Sequence, residues 1–264
     1  MVAPRLAPRE LFSLARALGI AGVELRNDIA GNAILDGTAA ADIALLAERA
    51  GVEILSINAL QKFNRWNAER ANEAEALIGY ARECGAKALV LVPGSDGTGR
   101  EPAERVANLA EALAALRPML AQSGVMGLVE PLGFGTCSLR SKREAVAAIE
   151  AAEGTAEFSI VHDTFHHALA GEPEFFAETT GLVHISGVVA DLPLDALRDE
   201  HRVLVGARDR IGNIDQIAAL IEAGYAGRFS FEPFAPEVHR LTAPAVAIGA
   251  SMNFIEAQLM ERAA

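Results

Sequence analysis

Four polar side chains stand at or near the ends of short apolar segments. Glu130 ends the string Val-Met-Gly-Leu-Val-Glu, and Asp163 ends Phe-Ser-Ile-Val-His-Asp. His184 lies near the end of Leu-Val-His-Ile-Ser, and Glu232 ends Arg-Phe-Ser-Phe-Glu. If the fold brings these groups together, the three carboxylates repel one another or take up protons unless a cation joins them. An oxygen-rich set with one nitrogen suits a divalent ion such as Mn²⁺, Co²⁺, Zn²⁺ or Mg²⁺, so we predict one such ion here.

The chain that must position these residues alternates short strand-like runs with longer Ala-rich stretches, in which apolar residues recur at three- and four-residue spacing. The predicted strands are residues 22–26, 52–58, 88–92, 125–130, 158–163, 182–187 and 228–232. The predicted helices include residues 39–50, 67–84, 103–120 and 214–223. Gly19, Gly85 and Gly224 follow helical stretches, where a left-handed residue typically ends a helix.

This alternation predicts a parallel sheet with helices on its faces, either doubly wound or closed into an eight-stranded barrel of about 250 residues. We favour an α/β fold of the TIM (β/α)8 type whose first strand is truncated or a stub. The chain opens with a helix at about Pro8, so an eighth strand would lie at or before Met1, or in a segment encoded upstream of it. Residues 1–264 contain no linker or low-complexity segment, and we predict a single domain.

The direction of the side chains follows from strand parity, because successive side chains point to opposite faces of a strand. Glu232 shares a face with Ser230, whereas Phe231 points to the other face. Asp163 likewise shares a face with Val161. In a barrel of this type the active site lies at the carboxyl ends of the strands. We therefore expect the carboxylates to point into the mouth of the barrel and the aromatic rings to face the helices.

Composition and charge bear on the kinds of partner and the cellular setting. The formal charge of −12 disfavours nucleic acid, because binding to phosphates needs clustered Lys and Arg. No stretch reaches the roughly 18 apolar residues of a membrane-spanning helix. Cys84 and Cys137 are predicted to be free thiols of a cytoplasmic protein, since two cysteines are too few for a disulfide framework. A homo-oligomer is compatible with the sequence.

Six strings in the chain resemble motifs of the sugar isomerase/epimerase barrels related to xylose isomerase. They are Ser-Ile-Asn-Ala-Leu (56–60), Val-Glu-Pro-Leu-Gly (129–133), His-Asp-Thr-Phe-His-His (162–167), Val-His-Ile-Ser (183–186), Asp-Glu-His-Arg-Val (199–203) and Phe-Glu-Pro-Phe (231–234). Within this group the sequence is most similar to the 2-keto-myo-inositol (inosose) isomerases of inositol catabolism. The resemblance implies a xylose isomerase-like barrel and a small keto-polyol or ketose as the partner.

The same resemblance implies roles for individual residues. Four of them match the metal ligands of these enzymes: Glu130, Asp163, His184 and Glu232. His166 and Arg202 match positions that contact substrate oxygens, although His166 could instead support a neighbouring side chain and Arg202 could be a solvated loop residue. The implied reaction is proton transfer α to a carbonyl through an enediolate. In it Glu130 and Glu232 remove and return the proton, while Asp163 and His184 only anchor the metal.

Other functions compatible with such a barrel remain open. A ketose 3-epimerase or a hydroxypyruvate isomerase would use the same metal site with a different pocket. An abasic-site endonuclease would need more histidines and a basic groove, and a barrel that only binds a ligand would not need the full set of four ligands. Two departures from the family also bear on substrate choice: the missing first strand, and the long charged loop after Arg202, at residues 203–215.

Overall fold

The structure is a computed structural model that describes residues 2–28 and 37–263. The strands are β1 (Gly22–Arg26), β2 (Glu53–Gln61), β3 (Ala88–Val92), β4 (Met126–Val129), β5 (Phe158–Asp163), β6 (Thr180–Ile185), β7 (Gly187–Val188), β8 (Arg202–Val203) and β9 (Phe229–Phe231). The helices are α1 (Pro8–Ala17), α2 (Ala40–Ala50), α3 (Ala68–Cys84), α4 (Pro102–Ser123), α5 (Lys142–Ala151), α6 (Thr164–Ala170), α7 (Asn213–Glu222), α8 (Pro236–His239) and α9 (Pro244–Ala263).

Seven parallel strands form a nearly closed barrel, in the order β1-β2-β3-β4-β5-β6-β9. Strands β7 and β8 form a separate antiparallel pair. Gly19, Gly85 and Gly224 all adopt positive φ angles, of 68°, 79° and 92°, which L side chains rarely do. The predicted helix-covered parallel barrel is therefore confirmed, including the glycines that end its helices.

The barrel is open along one side, between β1 and β9. Residues 2–7, which precede α1, form a turn and no strand. A groove of about 540 Å³ lies along this opening, lined largely by apolar side chains of α1, α9 and the two edge strands. We call this opening the seam. It is where an eighth strand would lie in a complete barrel, as the count of seven predicted strands implies.

Apolar side chains pack against both faces of the sheet, inside the barrel and between the sheet and the helices. The barrel interior is filled by small and branched side chains: Ala59, Ala88, Val90, Leu128, Val161 and Leu182. Outside the sheet, Phe229 and Phe231 pack with residues of α7 and α9. The two rings thus face the helices, as strand parity predicted. The inner face of β9 is left to polar side chains.

Among residues 2–28 and 37–263, no helix combines the length and the apolar character that crossing a membrane requires. Cys84 and Cys137 are both buried free thiols, as predicted.

Candidate active site

The four strand-end residues singled out in the sequence lie together at the carboxyl end of the barrel. Glu130, Asp163, His184 and Glu232 each offer one ligand atom, and these atoms lie within 4.8 Å of one another. All four side chains are buried. They come from β4, β5, β6 and β9, which occupy consecutive positions in the sheet. Residues far apart in the chain therefore form one compact cluster.

Strand register explains how the backbone assembles this cluster. Asp163 and His184 are direct neighbours in the β5–β6 ladder. Glu130 and Glu232 each follow the last residue of a strand, but their backbone N–H groups still donate to the neighbouring strand, to Leu91 at 3.1 Å and to Ile185 at 2.9 Å. Both carboxylates thus extend the inner face of a rigid strand.

His184 lies at the centre of the cluster and is fully buried. Its Nδ1 atom lies 2.9 Å from Oε1 of Glu130 and 3.3 Å from Oε2 of Glu232. Its Nε2 atom lies 3.1 Å from Glu24 of β1, on the other side of the ring. Burial alone would lower the pKa of His184, but the negative charges of Glu232, Glu24 and Glu130 raise it well above its usual value.

Glu232 is held by donors from three directions. Nη1 of Arg26 donates to its Oε1 at 2.9 Å, and Nδ2 of Asn58 donates to the same oxygen at 3.1 Å. Nη2 of Arg202 donates to Oε2 at 2.9 Å. Burial opposes ionisation, yet the charges of His184, Arg202 and Arg26 keep the pKa of Glu232 well below its usual range. Glu232 is therefore a fixed carboxylate anion.

Glu130 lies in a different environment, since the hydrogen bonds described for its carboxylate come only from His184. Burial is the largest influence and raises the pKa of Glu130 to about 7, with Glu232 and Asp163 adding to the increase and His184 opposing it. Burial also raises the pKa of Asp163, against the attraction of Arg202. Glu130 can therefore exchange a proton near neutral pH.

Arg202 lies inside the site, with only 1% of its surface exposed. The β7–β8 pair carries it inward, and its Nη2 atom donates to Oδ2 of Asp163 at 2.5 Å as well as to Glu232. Its guanidinium also lies over the rings of Phe165 and Phe234, at 5.0 and 4.8 Å. The alternative of a solvated loop arginine is wrong, because these anions and rings enclose the guanidinium.

His166 is also buried beside the cluster. Its backbone N–H donates to Oδ1 of Asp163 at 3.0 Å, at the start of α6. The imidazole packs edge-on against Phe134 and Phe165, and its Nδ1 atom has no hydrogen-bond partner among the described residues. Burial and the nearby charge of Arg202 lower the pKa of His166 to about 3, so this ring is neutral. A buried, unpartnered nitrogen is a place where a ligand can bind.

The donor set fits a divalent cation. Three carboxylates and one imidazole nitrogen converge from rigid strand ends, and mixed oxygen and nitrogen donors of this kind bind Mn²⁺, Co²⁺, Zn²⁺ or Mg²⁺. The raised pKa of Glu130 is what an excess of buried negative charge produces, and a cation would relieve it. These residues can therefore hold a metal ion.

The comparison with known proteins agrees with this architecture. A model of the xylose isomerase-like TIM barrel family matches residues 12–258. The chain belongs to this family. Among solved structures, the chain is similar to a xylose isomerase domain containing protein from Salmonella typhimurium LT2, at 35% identity and a TM-score of 0.89, with 98% of this chain and 94% of that one covered.

Two curated relatives carry the name inosose isomerase. The protein from Bacillus velezensis is 29% identical over 215 residues, which cover 77% of this chain and 75% of the relative. The protein from Bacillus subtilis is 27% identical over 204 residues, which cover 73% and 71%. The fold is also similar to that of the IolI protein with a bound zinc atom, at 22% identity and a TM-score of 0.85, with 98% and 96% of the two chains covered.

Three residues of this xylose isomerase-like site were missed in the sequence: Glu24, Arg26 and Asn58. Glu24 and Arg26 alternate with Val23 and Leu25 along β1, a pattern that also fits a strand with one solvent-facing side. The available signal was that two charged residues share one face of a strand in a barrel. The strand predicted at residues 22–26 thus supplies two charged groups to the site, through Glu24 and Arg26.

Proposed function

We propose that this protein is a metal-dependent isomerase that moves a proton α to the carbonyl of a small keto-polyol, with 2-keto-myo-inositol as the first candidate. One observation carries the proposal: four buried donor atoms within 4.8 Å of one another at the carboxyl end of the barrel. The names of the two curated relatives support the substrate class and a role in inositol catabolism.

The proposed metal ligands are Glu130, Asp163, His184 and Glu232. A divalent ion bound there would act as a Lewis acid that polarises the carbonyl of the substrate. Asp163 and His184 have the anchoring role, because they pair with each other in the β5–β6 ladder and His184 also pairs with Ser230 of β9. Glu130 and Glu232 also serve as the acid–base pair, since they approach the site from strands on opposite sides of Asp163 and His184.

Glu130 is the residue best suited to move the proton. In the metal-free site burial brings the pKa of Glu130 to about 7. A bound divalent ion would lower it, so that Glu130 would be the ionised base that takes the proton from the carbon next to the carbonyl. Arg26 and Arg202 keep Glu232 anionic. Its negative charge would balance the positive charge of a bound metal ion. With a divalent ion bound, both carboxylates would be ionised, so that each could accept a proton from the substrate and return it.

Substrate oxygens would be held by His166 and Arg202. The neutral ring of His166 presents a buried nitrogen without a protein partner, which is suited to a hydroxyl group. Arg202 offers positive charge beside Asp163 and Glu232, where negative charge develops on the oxygen of an enediolate. Two phenylalanine rings enclose this arginine and limit access of water.

A ketose 3-epimerase or a hydroxypyruvate isomerase remains a second possibility on the same residues, because both reactions begin by removing a proton next to a carbonyl. The proposed setting is the cytoplasm, where the two free thiols would stay reduced.

The test is turnover of 2-keto-myo-inositol beside fructose, tagatose and hydroxypyruvate, with Mn²⁺, Co²⁺ or Zn²⁺ supplied. We expect about one divalent ion per chain and loss of isomerase activity on chelation, restored by adding metal. Asp163→Asn should lose metal and activity together, while Asp195→Asn, which changes an exposed carboxylate in a short 3-10 helix, should retain both. Full activity in EDTA from a metal-free protein would overturn the mechanism, and turnover of another substrate alone would overturn the substrate.

A further inference from the structure

Glu24 lies on the inner face of β1 but is not part of the proposed ligand set. Its side chain is 7% exposed and points toward the barrel axis from one edge of the seam. In the β1–β2 ladder it is the direct partner of Ser56. Its two oxygens are nevertheless engaged by three neighbouring side chains.

Both carboxylate oxygens of Glu24 receive a hydroxyl donor. Ser56 Oγ donates to Oε2 and Ser230 Oγ donates to Oε1, each at 2.5 Å. Ser56 belongs to the neighbouring strand β2, whereas Ser230 belongs to β9 on the far side of the seam. The carboxylate is thus held from both sides, in one position and one orientation.

The third donor to Glu24 is the central histidine. Nε2 of His184 lies 3.1 Å from Oε1 and 3.1 Å from Oε2, so it faces the whole carboxylate. The opposite ring nitrogen, Nδ1, faces Glu130 at 2.9 Å and Glu232 at 3.3 Å. The imidazole therefore lies between Glu24 on one side and the proposed ligands on the other.

This arrangement has a direct consequence for metal binding. An imidazole binds a metal through an unprotonated nitrogen, and the hydrogen bond made by its other N–H decides which nitrogen that is. With Nε2–H donating to Glu24, Nδ1 is the nitrogen left to face the metal. A carboxylate behind a ligating histidine also increases the basicity of the ring and restricts its rotation.

We propose that Glu24 is a positioning residue, which orients His184 so that Nδ1 binds the metal and which raises the affinity of the site. This inference rests on the metal centre of the proposed function but not on its substrate. Because Ser230 lies across the seam from β1, the same carboxylate also links the orientation of His184 to the spacing of the two edge strands.

The test is the affinity of the chelator-treated protein for Zn²⁺, measured by competition with a chromophoric chelator and without any substrate. We expect Glu24→Gln to weaken Zn²⁺ binding by about 10- to 100-fold, the range found when a carboxylate behind a metal ligand is lost. Gln has nearly the same shape but no charge. The matched control is Glu53→Gln, an exposed carboxylate at the start of β2, which should bind Zn²⁺ like the wild type.

A second measurement separates positioning from folding. The visible spectrum of bound Co²⁺ reports the ligand geometry, and we expect it to change in Glu24→Gln while the melting temperature of the metal-free variant stays close to that of the wild type. If Glu24→Gln does not fold, the double variant Ser56→Ala with Ser230→Ala keeps the charge but frees the carboxylate, and a weaker Zn²⁺ affinity is again expected.

The outcomes distinguish the two proposals. A folded Glu24→Gln variant with wild-type Zn²⁺ affinity and an unchanged Co²⁺ spectrum overturns the role of Glu24 and leaves the proposed function intact. A wild-type protein that binds no divalent ion overturns the metal centre, and with it both proposals. A wild type that binds metal but turns over none of the sugars overturns only the activity.

Discussion

Two glutamates, Glu130 and Glu232, end strands of the same barrel and face the same central histidine, yet their surroundings differ. Glu232 receives donors from Arg26, Asn58 and Arg202. The donor described for Glu130 is His184 alone. Burial is the same for both, with 3% of Glu130 and 4% of Glu232 exposed. The difference in their pKa values therefore comes from where the cations lie.

The comparison shows that burial alone does not decide the protonation state of a carboxylate. Burial raises the pKa of Glu130 to about 7, whereas neighbouring cations keep that of Glu232 well below its usual range despite the same burial. The asymmetry originates in β1 and β8, which supply Arg26 and Arg202.

The largest expected effect concerns activity. Glu130→Gln should lower turnover by about 10³-fold, because an acid–base group contributes roughly 10² to 10⁴. The free energy of unfolding of the metal-free variant should stay the same or rise, since a carboxylate with unfavourable burial has been removed. Steady-state kinetics with metal supplied and urea unfolding in EDTA check the two parts. Glu150→Gln, an exposed glutamate in α5, is the control.

The second effect concerns stability. Glu232→Gln should lower the free energy of unfolding of the metal-free protein by about 3 kcal/mol, because it leaves the buried guanidiniums of Arg26 and Arg202 without one of their anions. Urea unfolding in EDTA measures it, beside Glu237→Gln, an exposed glutamate in α8. Equal stabilities for Glu130→Gln and Glu232→Gln would contradict the difference between the two sites.

The third effect is a pH dependence. The pKa of Glu130 is about 7 in the folded metal-free protein, whereas its ordinary value is 4.5. Between these two values the unfolded chain releases the proton and the folded protein keeps it. The free energy of unfolding therefore falls as the pH rises toward 7. Between pH 5 and pH 7 the metal-free wild type should lose about 2 kcal/mol of stability relative to Glu130→Gln. Urea unfolding of both proteins across this range checks it, and a constant difference would contradict it. Glu232 contributes with the opposite sign, because its stabilisation is lost as the pH falls.

The architecture could be predicted from alternation alone. The bounds of β1, β3 and β5 agree with the predicted residues 22–26, 88–92 and 158–163. Strand β2 was predicted to end at residue 58 but continues to Gln61, because Leu60 and Gln61 pair with β3. The cluster of four strand-end residues followed from the rule that parallel strands bring their carboxyl ends together. Their roles as ligands and catalysts stay predictions.

The surroundings of the cluster could not be predicted in the same way. Glu24 lies 160 residues from His184 in the chain, and Arg26 lies 206 residues from Glu232. No local pattern connects such pairs, and a charged residue that alternates with apolar ones fits a solvent-facing strand equally well. Only the closing of the sheet turns that face of β1 inward. The unequal pKa values of Glu130 and Glu232 depend on these contacts, so they could not be predicted from the sequence either.

The seam between β1 and β9 is closed by side chains and not by backbone pairing. In the described chain β1 pairs only with β2 and β9 only with β6, so no backbone ladder joins the two edges. Side-chain contacts cross the opening instead, among them those from Arg26 to Glu232 and from Ser230 to Glu24. The side chains proposed for catalysis and for metal orientation therefore also hold the two edges of the barrel together. Along this side of the molecule, a substitution that abolishes function also removes part of the closure, and inactivity alone does not identify a catalytic residue.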